Sequence, residues 1–277
     1  MISVIIPANN EQGYIGTCLD LILRSRAPKA GPVQVVVVAN GCSDATVAEA
    51  TALTPAYAEK GWQLDVLDLE QGGKINALNA GDRAARYDKR VYIDADIHVT
   101  EDLIAQLAQA LDRSGAAYAG GRPQIRPARS FISERYARFW EKLPFMASGV
   151  PGCGVYALNA AARARWGDFP DITADDTFVR FHFAADEMYG VPATYSWPIT
   201  EGFANLVRVR RRQDQGLEQM RQQLPELASR MERTAPDGRE KLRLFCRDPL
   251  GFVIYSAVAV TVRLPIFRNR STWDRGR

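Results

Sequence analysis

The sequence predicts an α/β protein, a mostly parallel sheet flanked by helices with a helical C-terminal appendage. Three observations predict it. Short apolar runs alternate with stretches of helical spacing through the N-terminal half. The run Val33–Ala39 is Val-rich, as a strand buried on both faces should be. Clusters of Asn, Gly, Ser and Asp follow the apolar runs, where strands hand over to loops.

The elements follow in order. Ser3–Pro7 reads as a first strand, and Glu11–Arg24 as a helix with Tyr14, Ile15, Leu19 and Ile22 on its apolar face. Val33–Ala39 is the second strand, and Ser43–Lys60 a helix capped by Ser43 or Asp44. Leu64–Leu69, Lys74–Tyr87, Arg90–Asp94 and Glu101–Arg113 continue the alternation as strand, helix, strand and helix. Repeated units of this kind imply a parallel sheet.

Past Gly120 the pattern changes. Arg122–Arg129 reads as a connection, Phe131–Lys142 as an aromatic-rich helix, and Gly149–Gly154 as a glycine-rich turn into a strand at Val155–Leu158. A helix over Asp175–Tyr189 and a short strand at Ala193–Trp197 follow. The basic run Arg208–Arg212 reads as a loop before a helix at Leu217–Met231, with a break at Pro236–Gly238. This divides the chain into a catalytic domain, 1–205, with a donor half to about residue 120, and a basic, helical tail, 206–277.

The whole-chain properties exclude several classes. A chain of 277 residues is one large domain or one with an appendage. A net charge of +3 does not suit a polyanion binder, and no aromatic residues interleave with the arginines, so no nucleic-acid partner is expected. The four cysteines show no C-x-x-C spacing, which argues against structural zinc and for a reducing compartment. Met1–Pro7 reads as a strand and not a signal peptide. No run reaches the roughly 18–20 apolar residues of a membrane span. The nearest lies between Asp248 and Arg263. A cytoplasmic location is expected.

Asp94-Ala95-Asp96 carries the strongest chemical signal. If the strand continues through it, both carboxylates share a face. Like charges that close repel unless a cation separates them. Hard oxygen donors suit Mg²⁺ or Mn²⁺, ions that accompany phosphate substrates. A helix-cap role remains open, since Thr100-Glu101-Asp102 resembles a helix start. His98, two residues on, is a candidate third ligand. In open parallel sheets, ligands bind beyond the carboxyl ends of the strands. Four polar clusters fall there: Pro7–Glu11, Asn40–Asp44, Gly72-Gly73-Lys74 and Asp94–Asp96. Lys74, opening a helix after two glycines, suits an anion. It is not a Walker A lysine, because that spacing is missing. Asp175-Asp176 is either an ordinary acidic first turn or the source of a general base.

Pro7-Ala-Asn-Asn-Glu11, Asn40-Gly-Cys-Ser-Asp44, Gly73-Lys74-x-x-Ala77-Leu78-Asn79-x-Gly81, Asp94-Ala-Asp96 and Ala174-Asp175-Asp176 occur in that order. Together, over roughly residues 2–185, they resemble the family 2 glycosyltransferases of the GT-A fold. The resemblance implies a nucleotide-sugar donor, with UDP as the default base, a divalent metal (Mn²⁺ or Mg²⁺), and inversion at the anomeric carbon. It implies that Pro7, Asn9, Glu11 and Asn40 line the nucleoside pocket and that Asp44 contacts the base. Lys74 lies near the nucleotide. Asp94 meets ribose or sugar hydroxyls, Asp96 meets the metal, and Asp94 is a second candidate ligand. Gly152 belongs to the small-residue loop near the sugar. Asp176 is the base, with Asp175 assisting.

Two departures shape the expectation. Asn9 and Asn10 stand where the family usually has Tyr or Phe. The Gln-x-x-Arg-Trp signature of processive synthases is missing, which favours transfer of a single sugar. Arg211, in the basic run, is a candidate clamp on the diphosphate. The apolar and arginine-rich tail suits a membrane surface or packing on the core or an oligomer partner. The expected role is in bacterial exopolysaccharide or other surface-glycan assembly, on a glycan or lipid-linked acceptor, at the inner face of the membrane. A sugar nucleotidyltransferase is the rival enzyme, though it requires a glycine-rich basic loop after the first strand. A non-catalytic nucleotide-sugar binder is the rival non-enzyme.

Overall fold

The computed structural model describes residues 1–29, 31–143, 146, 150–232 and 237–264. Gly149 and Pro236, and the end of the arginine-rich tail from residue 265 onward, lie outside the described residues. The chain divides into two compact units. The first comprises 1–124, 152–171 and 182–197, and the second 125–151, 172–181 and 198–277.

The first unit carries an eight-stranded sheet in the order β3-β2-β1-β4-β7-β6-β8-β5. β1 (Ile2–Ala8), β2 (Val33–Asn40), β3 (Gln63–Leu69) and β4 (Arg90–Ile93) are its parallel part. β2 is buried at every position, as its composition predicts. α1 (Ile15–Arg24) and α4 (Lys74–Ala84) match the alternating pattern. The helix expected over Ser43–Lys60 is two, α2 (Thr46–Thr51) and α3 (Thr54–Glu59), with Pro55 in the first turn of the second. α5 (Leu103–Ala110) begins later than Thr100 suggests.

The rest of the sheet is antiparallel where its pairing is defined: β4 to β7 (Val155–Leu158), β7 to β6 (Tyr118–Ile125), and β8 (Met188–Trp197) to β5 (His98–Val99). Tyr118–Ile125 is thus a strand that overlaps the expected connection. Its Gly-Gly-Arg-Pro centre hides a strand period. The helix expected over Asp175–Tyr189 stops at Arg180, and the segment from Met188 joins the sheet.

Helix α4 lies close on the sheet because residue 81 is glycine. A Cβ there would sit 2.4 Å from Ile5 Cγ2. The same helix buries Asp82, which accepts from Tyr92 Oη at 2.6 Å. Arg90 at 2.8 Å and Arg163 of α7 (Ala160–Arg163) at 2.6 Å offset its charge.

The second unit is helical: α6 (Phe131–Trp140), α8 (Asp175–Arg180), α9 (Phe203–Gln223), α10 (Pro225–Glu232), α11 (Gly238–Arg247) and α12 (Pro249–Val262). Its core gathers Tyr136, Leu206, Val207 and Val258. The run Arg208–Arg212, expected as a loop, lies inside α9. No described helix is long and apolar enough to cross a membrane.

Candidate active site

Four parallel strands deliver their carboxyl ends to one edge, and side-chain amides hold the loops there. Asn9 Nδ2 donates to the carbonyls of Asn40 (2.5 Å) and Gly41 (3.2 Å). Asn10 takes a left-handed backbone, φ 51°, which asparagine tolerates better than most residues. Its Oδ1 accepts from Ser43 N at 2.7 Å. The two asparagines that replace the family's aromatic residue therefore latch the first loop to the second. Pro7, in β1, pairs in register with Val38.

Glu11 N donates to Thr46 Oγ1 at 2.7 Å. Asp44 accepts from Thr46 N (3.0 Å), Thr46 Oγ1 (2.5 Å) and Gln12 N (3.1 Å). Burial raises its pKa, but the hydrogen bonds from Thr46 and Gln12 outweigh that and hold the carboxyl below its ordinary range. Asp44 thus has a structural post in its loop beside the base contact implied for it.

Asn40 is buried and links three elements. Its Nδ2 donates to Ala8 O at 2.7 Å, and its Oδ1 accepts from Gly73 N at 2.9 Å. The glycine loop is thereby fixed to the ends of β1 and β2, and Lys74 follows as the first residue of α4. Lys74 Nζ lies 3.0 Å from Asp94 Oδ1.

Asp94, Ala95 and Asp96 are not on a strand. β4 ends at Ile93, and the chain turns, with Ile97 N donating to Asp94 O at 3.1 Å. Ala95 is buried in the core, while both aspartates are half-buried. Burial is the main cause that pushes the thiol of Cys18 far above its ordinary value, and the charges of Asp96, Asp94 and Glu11 add to it.

His98 pairs in register with Ser196 in the β5–β8 ladder and, like Asp94 and Asp96, is half-buried, while Ala95, Ile97 and Val99 between them are buried. Among the described residues no three His, Cys, Asp or Glu side chains group to hold an ion. Two carboxylates still fit a hard divalent cation, because Mg²⁺ is commonly held by one or two carboxylates with substrate phosphates and water completing the shell. Asp96 and Asp94 would hold it, and Lys74 would offset part of the charge on Asp94.

The loop Gly152-Cys153-Gly154 lies beside this turn, since Gly154 O accepts from Asp94 N at 2.9 Å. Gly154 has φ 70°, and a Cβ there would lie 2.9 Å from Ile97 Cδ1 and 3.3 Å from Asp94 Oδ2. Only glycine fits both the backbone and the space. Asn79, quoted above only within a motif, clamps the segment around Phe169. It accepts from Phe169 N at 2.7 Å and donates to Phe169 O at 3.2 Å.

In the second unit, Asp175 and Asp176 form the first turn of α8, with Asp175 buried and Asp176 half-buried. Asp176 Oδ1 accepts from Thr177 N at 2.7 Å. The approach to the pair is fixed by Thr173 N, which donates to Gln219 Oε1 of α9 at 2.9 Å.

Arg211 takes a different post from the expected diphosphate clamp. Its guanidinium donates to the carbonyls of Val262 (3.1 Å) and Leu264 (2.9 Å) at the end of α12. A cation there complements the helix dipole and its unpaired carbonyls.

The glycosyl transferase family 2 model matches residues 3–161, more than half of the chain. The chain belongs to glycosyl transferase family 2. Two curated relatives of this family 2 chain are the uncharacterized glycosyltransferase EpsJ of Bacillus subtilis (strain 168) and glycosyltransferase AglE of Haloferax volcanii. EpsJ is 24% identical over 114 residues, 41% of this chain and 31% of EpsJ. AglE is 29% identical over 140 residues, 50% of this chain and 44% of AglE. The matches thus span less than half the length of either relative.

Among solved structures, the family 2 chain is similar to the mannosyltransferase PcManGT of Pyrobaculum calidifontis, solved with GDP-Man and Mn²⁺. The TM-score is 0.62 at 19% identity, over 95% of this chain and 75% of that one. S. aureus TarS 1–349, solved with UDP-GlcNAc, gives 0.57 at 16% identity, over 96% and 76%. The fold is GT-A, a mixed sheet flanked by helices.

Proposed function

We propose that this chain moves one sugar from a nucleotide-diphosphate sugar, a UDP-sugar by preference, to a hydroxyl acceptor, with inversion at the anomeric carbon. The observation that carries the reading is the Lys74–Asp94 pair, 3.0 Å across, between the first residue of α4 and the turn that follows β4. It sets a phosphate-seeking cation and a metal-seeking carboxylate on one sheet edge. Two solved structures of similar fold support the donor class, since one holds GDP-Man with Mn²⁺ and the other UDP-GlcNAc.

A divalent ion, Mn²⁺ or Mg²⁺, would supply positive charge to the departing diphosphate. The chain's own residues do the rest. Pro7, Asn9, Glu11, Asn40 and Asp44 shape and hold the nucleoside end. Lys74 attracts the diphosphate, and Gly152 leaves room for the sugar. Asp176 takes the proton of the acceptor hydroxyl as it attacks C1, with Asp175 assisting. The diphosphate leaves as an anion and needs no acid. The acceptor is a glycan or lipid-linked glycan in surface-polysaccharide assembly, handled at the cytoplasmic face of the membrane.

The test is thermal shift against UDP, GDP and their sugar conjugates, with and without Mn²⁺, because a ligand that binds the folded state raises its melting temperature. We expect a shift that requires nucleotide and ion together and disappears in Asp96→Ala. An unchanged shift in that variant removes Asp96 as the ion's anchor. No shift with any nucleotide defeats the donor reading.

A further inference from the structure

Helix α12 is apolar on both sides, and among the described residues only one side is covered. Toward its own unit it packs on α6 and α9: Val258 is fully buried, and the Tyr255 ring lies 5.1 Å from that of Phe139 and 5.3 Å from that of Tyr136. On the other side, Leu250, Val253, Ala257 and Val260 are exposed, and Leu264 continues the row just past the helix end. The steps along this row alternate between three and four residues, so it forms one stripe. Val253 is 56% exposed and Val260 58%, and the row holds no charged residue. A helix that is apolar all round calls for cover on every side.

The preceding helix continues the character. α11 exposes Leu242 (63%) and Phe245 (41%). Arg239, Lys241, Arg243 and Arg247 are exposed around them, and Arg263 is exposed at the far end of α12. Against these cations stand Asp237, Glu240 and Asp248. Asp248 is buried and paired with Lys142 at 2.6 Å and Arg135 at 3.1 Å. The apolar stripe is therefore bordered by positive charge at both ends.

We infer that the outer surface of α11 and α12 docks on an anionic lipid bilayer, with α12 lying in the interface plane. Its 14 residues extend about 21 Å, short of the roughly 30 Å hydrocarbon core, so it cannot span. Apolar residues bordered by cations bind such surfaces through area and charge together. A second copy of this chain is the weaker occupant, because the same face on both partners would bring arginines against arginines. Arg211 and Asp248 fix the two ends of α12 to the unit, so the surface is presented preformed. None of these surface residues belongs to the proposed donor set, so vesicle binding and nucleotide binding fail independently.

The experiment is co-sedimentation of the full chain with phosphatidylcholine vesicles, with and without phosphatidylglycerol. We expect binding that requires phosphatidylglycerol and weakens with salt. Leu250→Glu with Val253→Glu should reduce it by about tenfold or more, with the melting temperature unchanged because both side chains are exposed. A second variant, Arg239→Gln with Arg243→Gln and Arg247→Gln, leaves the apolar stripe intact and should remove the preference for anionic vesicles. Wild-type chain that stays in the supernatant with both vesicles overturns the inference. So does a dimer in sedimentation equilibrium that the double glutamate variant dissociates while vesicle binding persists.

Discussion

The two units differ in what holds them. Around the carboxyl edge of the sheet, amides do most of the holding: Asn9 and Asn10 join the first two loops, Asn40 fixes the third, and Asn79 holds the segment around Phe169, with Asp44 adding hydrogen bonds from Gln12 and Thr46. Lys74 and Asp94 pair among them, 3.0 Å apart. In the helical unit the charged side chains do the holding. Asp248 anchors α12, Arg211 completes its far end, Arg210 donates to Tyr255 Oη at 2.7 Å, and Glu201 accepts from the backbone of Arg129 and Ser130. At the sheet edge the Lys74–Asp94 pair stands on loops that side chains of other residues hold, whereas in the helical unit the charged side chains themselves hold the helices.

Asp176→Asn tests the contrast hardest, because Asp176 is the proposed exception, a charge in the helical unit with a chemical task. Turnover should fall by about 10²–10⁴-fold, the usual worth of a positioned general base. The donor dissociation constant, measured by titration calorimetry, should hold. A variant that keeps full turnover would move the base elsewhere.

Gly81→Ala tests the sheet unit's scaffolding. The glycine closes a family motif, yet its close contact is with Ile5, and overpacking of this kind destabilises by about 1–3 kcal/mol. Chemical denaturation should show that loss with nucleotide affinity retained at temperatures where the variant is folded. Lost affinity in a fully stable variant would make the position part of the ligand site.

Asp248→Asn tests the helical unit's scaffolding through pH. The hydrogen bond from Lys142 is the main cause that holds the Asp248 carboxyl below its ordinary range, against the opposing effect of burial. Its folded-state pKa therefore lies below the unfolded value of about 3.9. The stability it contributes is complete above that unfolded value and is lost as pH falls through the folded one. At neutral pH the variant should be less stable by about 1–2 kcal/mol. The gap to wild type should close as the pH is lowered through the acid range, and a gap independent of pH would remove ionisation as its cause.

The fold was legible where period and punctuation agree. β2 is mostly valine, and Val155–Leu158 begins after a glycine turn. It was less legible where a strand contains glycine and proline, as at Tyr118–Ile125, or where a helical period runs past the residues that terminate it, as after Arg180. The donor group was legible as motifs in order, but its geometry was not. The sequence shows Asp-x-Asp after an apolar run and cannot show that the strand ends at Ile93 and that the chain turns there. The roles of Asn9, Asn40 and Asn79 depend on carbonyls and amides 31, 33 and 90 residues away, distances at which side-chain spacing carries no signal.

Arg211→Gln is the smallest effect and the most direct test of the contrast. A guanidinium in a basic run reads as a phosphate clamp from sequence, while in the structure it donates to Val262 and Leu264 carbonyls. Removing it leaves carbonyls at a helix end that water can still reach, so the loss should be about 0.5–1 kcal/mol. Nucleotide affinity with Mn²⁺ should not change. If affinity falls tenfold at unchanged stability, Arg211 leaves the helix end when donor binds, and the helical unit lends a charge to the ligand after all. If stability falls and affinity holds, the arginine run is architecture at this position, as its partners indicate.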